Sequence, residues 1–135
     1  MSNLARKTSL VFAAGCFGGL LNSLAVWSFG KFGITSALGV NIAPQLSPAW
    51  LYPRLVWGGI WGLLFLLPVM QTSIFARGLI FSIGPTLVQL LVVFPMKANK
   101  GMLGLDLGLL TPLMVVVFNA IWGWTAAIWL KSVGK

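Results

Sequence analysis

Residues 37–48 read ALGVNIAPQLSP, and residues 102–112 read MLGLDLGLLTP. With one gap the two stretches align: Leu38 with Leu103, Gly39 with Gly104, Asn41 with Asp106, Ser47 with Thr111 and Pro48 with Pro112. The segments just downstream also match, VWGGIWG at 56–62 against VFNAIWG at 117–123. Each stretch is polar, contains glycine and lies between apolar segments, so each reads as a connector between helices. The chain therefore reads as two copies of helix, connector, helix.

Outward from the connectors, the charges are segregated. No charged residue occurs in 8–30, 55–76, 78–96 or 107–130. A helix rises about 1.5 Å per residue and the hydrocarbon core is about 30 Å thick, so each stretch is long enough for one membrane-spanning helix. With 59% hydrophobic and 7% charged residues, the 135-residue chain is far from the balance of a soluble domain. The expected fold is all-α: a polytopic membrane protein with four transmembrane helices in two parallel helix-connector-helix repeats. It forms one integral membrane domain over residues 1–135, with repeat 1 at about 8–69 and repeat 2 at about 77–131. Each half crosses twice, so the repeats are expected to be related by an axis along the membrane normal, without inversion.

Local signals set the expected helix ends. The first helix is predicted over Thr8–Phe29, with Gly15, Gly19 and Asn22 on one face and Gly18 beside them. Ser47 suits an N-cap and Pro48 the first turn of the second helix, which Pro68 ends; Pro53 is expected to kink it. Gly58 and Gly62 share a face of that helix, and Trp50 suits the membrane–water boundary near its start. The third helix is predicted over Gly78–Phe94, closed by Pro95, with the link at 70–77 making it an antiparallel neighbour of the second. Thr111-Pro112 is expected to open the fourth helix as Ser47-Pro48 opens the second, and that helix to end near Leu130. Small residues let helix backbones approach in lipid. The glycine faces of the first two helices are accordingly expected at homo-oligomer contacts.

The net charge is +8, and the only acidic side chain is Asp106. The basic residues sit singly or in pairs at segment ends, which fits lipid headgroups and interfacial anchoring and excludes nucleic acid as a partner. Arg6, Lys7, Arg77, Lys131 and Lys135 would lie on one membrane face, and Lys31, Arg54, Lys97 and Lys100 on the other. Five against four is a weak bias. It favours both termini in the cytoplasm, in a bacterial inner membrane, and leaves insertion in both orientations open. Cys16 is the single cysteine and there is no histidine, so a disulfide framework, a metal centre and a haem ligand set are not expected.

One carboxylate cannot form a catalytic pair, and no Ser/His/Asp or Cys/His set is present, so no enzyme and no cofactor are expected. The polar residues within the spans are Asn22, Ser82, Thr86, Gln89 and Asn119. They read as hydrogen-bonding glue between helices or as a neutral polar pathway. Asn41, Arg54, Lys97, Lys100 and Asp106 read as connector or mouth residues, with Asn41 and Asp106 also suited to ordinary turns. Trp57, Trp61 and Trp122 read as anchors and packing, or as an aromatic cage. The expected function is a small oligomeric channel or carrier for a small anion or neutral solute, on a route that passes Gln89 and Asn119 and avoids charged residues. The alternatives are a non-catalytic accessory or scaffold subunit of a larger membrane complex, and a lipid-binding membrane protein. Expected partners are membrane lipid and either further copies of the chain or other membrane subunits.

Overall fold

A backbone with few charges and many apolar side chains satisfies its N–H and C=O groups most readily inside single helices. The computed structural model is helical accordingly, and it has no strand among the described residues, 3–68 and 73–133. The 70–77 link falls partly, and Lys135 wholly, outside those residues. Helix α1 runs Asn3–Lys31, and a single turn, α2, spans Ile34–Ala37. Helix α3 spans Pro48–Gly62 and tightens into a 3₁₀ turn over Leu63–Leu66. Helix α4 spans Ile74–Val88 and continues as a π-helical stretch over Gln89–Lys97; a 3₁₀ segment, Met102–Leu107, precedes α5 at Thr111–Val133. Among the described residues, three helical segments are long and apolar enough to cross a membrane: Asn3–Lys31, Ile74–Lys97 and Thr111–Val133.

The helix ends match the predicted chemistry at some sites and depart from it at others. Ser47 is extended, its Oγ accepts from the Trp50 N–H at 3.3 Å, and Pro48 occupies the first turn. Thr111 does not repeat this. It is fully buried as the first residue of α5, and its hydroxyl has no hydrogen-bond partner. The Leu110 carbonyl already accepts from the Met114 N–H, so the capping position falls one residue earlier, on a side chain that cannot cap. Helix α4 starts before the expected Gly78, because Ser73 caps it by accepting from the Ala76 N–H at 3.2 Å. Nor does Pro95 end that helix. The wider i→i+5 spacing relieves the clash of a proline ring with the preceding turn, and the chain stays helical to Lys97.

Glycines set the packing. A Cβ on Gly58 would fall 2.7 Å from the Gly15 carbonyl oxygen, and one on Gly15 would strike the Gly58 carbonyl. Gly62 meets Val11 and Gly15 in the same way. The small-residue faces of α1 and α3 are thus consumed against each other within the chain, which overturns their expected place at oligomer contacts. On its other side α1 packs against α5, with Gly18 under Trp122; Gly123 of α5 meets Gly78 of α4. The Trp122 indole N–H reaches the Gly15 and Gly58 carbonyls at 3.2 and 3.3 Å, fastening three helices. That buries Trp122 while Trp57 is 58% exposed, so the aromatic cage does not form.

These contacts make α1 antiparallel to α3 and α5, and α4 antiparallel to α5. One end of the bundle holds Val11, Phe65, Phe81, Trp122 and Ala126, with Phe65 edge-on to Phe81 at 4.7 Å. Arg77 lies over this cluster and donates to the Phe65 carbonyl at 2.8 Å. The other end holds Val26, Val40, Met114 and Phe118 beside Leu90, Phe94 and Val115. Here the connectors fold onto the helix ends. Buried Thr35 donates to the Ile42 carbonyl at 2.9 Å, and the Asn41 N–H donates to the Leu107 carbonyl at 2.7 Å, joining one connector to the other.

Candidate functional site

The connector end encloses a cavity of about 480 Å³. Its polar lining is Asn22, Asn41, Arg54, Gln89, Lys100 and Asn119; Trp50, Phe94, Leu107 and Phe118 supply apolar wall. Arg54 is the seventh residue of α3, and the glycine seam holds that stretch against α1. Its Nε donates to Ser23 Oγ at 2.8 Å and its Nη2 to Asn22 Oδ1 at 2.7 Å. The guanidinium carbon lies 4.6 Å from the centre of the Trp50 ring, within cation–π range.

From Arg54 a line of side chains crosses the bundle. Guanidinium groups only donate, so the Asn22 carbonyl oxygen must face Arg54 and its amide N–H groups must point onward. They donate to the Phe118 carbonyl at 2.6 Å and to Asn119 Oδ1 at 3.4 Å. That in turn fixes Asn119, whose Nδ2 donates to Thr86 Oγ1 at 3.0 Å and approaches Gln89 Oε1 at 3.5 Å. The line runs α3, α1, α5, α4, and one cation sets its polarity.

Of the residues singled out from sequence, Asn22, Gln89, Asn119, Asn41, Arg54 and Lys100 meet at the cavity, and Thr86 stands behind Asn119. Ser82 does not join them; its hydroxyl donates to the Leu79 carbonyl at 2.7 Å, one turn away. Lys97 and Asp106 are exposed and outside the lining. Arg54, expected at a mouth, lies within α3, and its side chain lines the same cavity as Gln89 and Asn119. Charge-free stretches put Arg54 at the edge of one, which conceals its position inside a helix. Ser23 has no sequence signal that separates it from other serines, and Trp50 turns from the interface to the cavity wall. The available signal is that Arg54 is the only charged residue between Lys31 and Arg77.

Chemically the site can bind. Arg54 is permanently charged and its two hydrogen-bond partners are neutral. The lining contains no carboxylate, imidazole or thiol to move a proton or attack a substrate. Among the described residues no cluster of His, Cys, Asp or Glu could hold a metal ion. No protein-family model, curated protein or solved structure matches the chain.

Proposed function

We propose that the protein is an integral membrane carrier that passes a small solute, an anion or a neutral molecule, through the cavity at its connector end. The observation that carries this reading is Arg54, a permanent cation turned into a cavity among apolar helices and paired only with neutral groups. Intramembrane ionisable residues are costly, and they mark substrate or ion pathways. A carrier is favoured over an open channel because the Phe65, Phe81 and Trp122 cluster fills the opposite end of the bundle.

In this reading the chain crosses the bilayer four times, as two parallel repeats. Helix α3 with its 3₁₀ turn is about 30 Å long at 1.5 and 2.0 Å per residue, enough for the hydrocarbon core. The alternating directions of α1, α3, α4 and α5 suit four crossings, and the Asn41–Leu107 hydrogen bond brings matching parts of the two connectors together. Both termini then lie on one side, in our reading the cytoplasmic side of a bacterial inner membrane.

The test is solute release from liposomes holding the purified protein, with a panel of anions and neutral solutes. Saturable release, lost on Arg54→Gln, supports transport. No release of any member from folded protein transfers the proposal to an accessory subunit.

A further inference from the structure

We infer that the cavity takes an organic anion, with a carboxylate or phosphate group held by Arg54 and Lys100 and a short apolar body against Trp50, Phe94 and Phe118. The inference rests on the proposed reading of this cavity as the solute site and narrows the solute to one class.

Donor accounting favours an anion over a neutral solute. Guanidinium carries five N–H donors, and Arg54 uses one toward Ser23 and one toward Asn22. The remaining donors belong to a side chain that lines the cavity. Of the four wall amides, Asn22 and Asn119 point their N–H groups into their own line across the helices, which leaves Gln89 and Asn41 as the neutral donors beside the charged guanidinium. Arg54 is also held in place, since Ser23 and Asn22 grip one edge of the guanidinium and Trp50 covers one face. A preorganised donor group loses little freedom on binding, and a planar guanidinium fork matches two oxygens of one carboxylate or phosphate. Lys100 adds a second cation at the exposed rim, and the lining has no acid to neutralise either.

Size and wall chemistry favour an organic body over a halide. At about 480 Å³ the cavity lies in the range of small-molecule sites, about 300–1,000 Å³, which combine apolar walls with a few placed polar groups. Phe118 is buried behind the site and Phe94 closes it beside the second connector, where a Cβ on Gly104 would meet the Phe94 ring at 2.5 Å. An inorganic ion would leave that apolar wall without a partner.

The experiment is equilibrium binding of radiolabelled hexanoate to the whole chain in zwitterionic nanodiscs, with protein-free discs as blank. Expected are saturable binding, displacement by hexyl phosphate, and no displacement by hexanol or chloride at equal concentration. Arg54→Gln should weaken binding tenfold or more, Arg54→Lys less, and Lys100→Gln three- to tenfold. Displacement by hexanol as effective as by hexyl phosphate overturns the inference. So does wild-type binding in both Gln variants once circular dichroism shows them folded. If Arg54→Gln fails to fold, the exposed Lys100→Gln and the competition series on the unaltered protein decide. Displacement by phosphatidylglycerol added to the discs assigns the anionic group to a lipid, and its absence to a soluble anion; either outcome supports the oxyanion site. Hexanoate release from liposomes is read separately. Binding without release sustains the inference and overturns transport, whereas release indifferent to solute charge and to Arg54 does the reverse.

Discussion

Replacing Gly58 by Ala adds one methyl group at the close glycine seam between α1 and α3. Its Cβ would lie 2.7 Å from the Gly15 carbonyl oxygen and 3.1 Å from the Gly19 Cα, both backbone atoms that cannot rotate away. Restoring an ordinary contact of 3.4 Å moves α3 off α1 by about 0.7 Å. The Trp122 N–H, already 3.3 Å from the Gly58 carbonyl, then loses that oxygen. Overpacking costs about 1–3 kcal/mol and the lost hydrogen bond about 1, against about 1 recovered from the better helix propensity of alanine. The net expectation is a destabilisation of about 2 kcal/mol, or about thirtyfold in the folded-to-unfolded ratio. The assay is reversible unfolding in mixed detergent micelles, monitored by far-ultraviolet circular dichroism. Gly84→Ala is the control, because the nearest atoms to its new Cβ belong to the side chains of Leu64 and Trp61, at 3.2 Å, and not to a backbone. It should match the parent or exceed it by up to about 1 kcal/mol, since the same gain in helix propensity applies there. Equal stability of Gly58→Ala and the parent, or equal losses in both variants, would refute the seam as the source of this cost.

Asn119→Leu removes the middle of the polar line; Asn22 keeps the Phe118 carbonyl, but one of its amide hydrogens loses its acceptor and Thr86 loses its donor. A loss of about 1–3 kcal/mol is expected together with loss of solute release, and unchanged release would remove Asn119 from the site. Thr111→Val replaces a buried hydroxyl without a partner by a methyl group of similar shape; stability should hold or rise by about 1 kcal/mol, and a fall of that size would reveal a hidden partner for the hydroxyl. Topology reporters fused before Asn3 and after Val133 should report the same side of the membrane, and opposite sides would reject four crossings.

Much of the helical layout is legible in the sequence because charge and glycine act locally. Charge-free stretches locate the apolar helices, and the spacing of Gly15, Gly19, Gly58 and Gly62 identifies the faces that pack. Which face meets which is a tertiary fact, so the same glycines suit contacts between chains equally well until the fold is known. Arg77 illustrates a second limit. In sequence it is a flanking charge that shortens the expected third helix, yet its side chain folds back over Phe65 and Phe81 and donates to the Phe65 carbonyl. Arg54 is hidden for the same reason: a long side chain on a helix can reach inward or outward, and composition does not say which. Of the candidate site, the amides are recognisable by type, but their common orientation depends on the one group that cannot accept a hydrogen bond.

Trp122 is the only buried tryptophan of the seven, and its N–H ends on carbonyls from two other helices. An indole so enclosed emits at shorter wavelength than its exposed counterparts, and its proton exchanges with heavy water only when three helices part. The protein therefore carries an intrinsic spectroscopic gauge where α1, α3 and α5 meet. A red shift of that emission, timed against exchange of the indole proton, would register separation of the junction without any attached label.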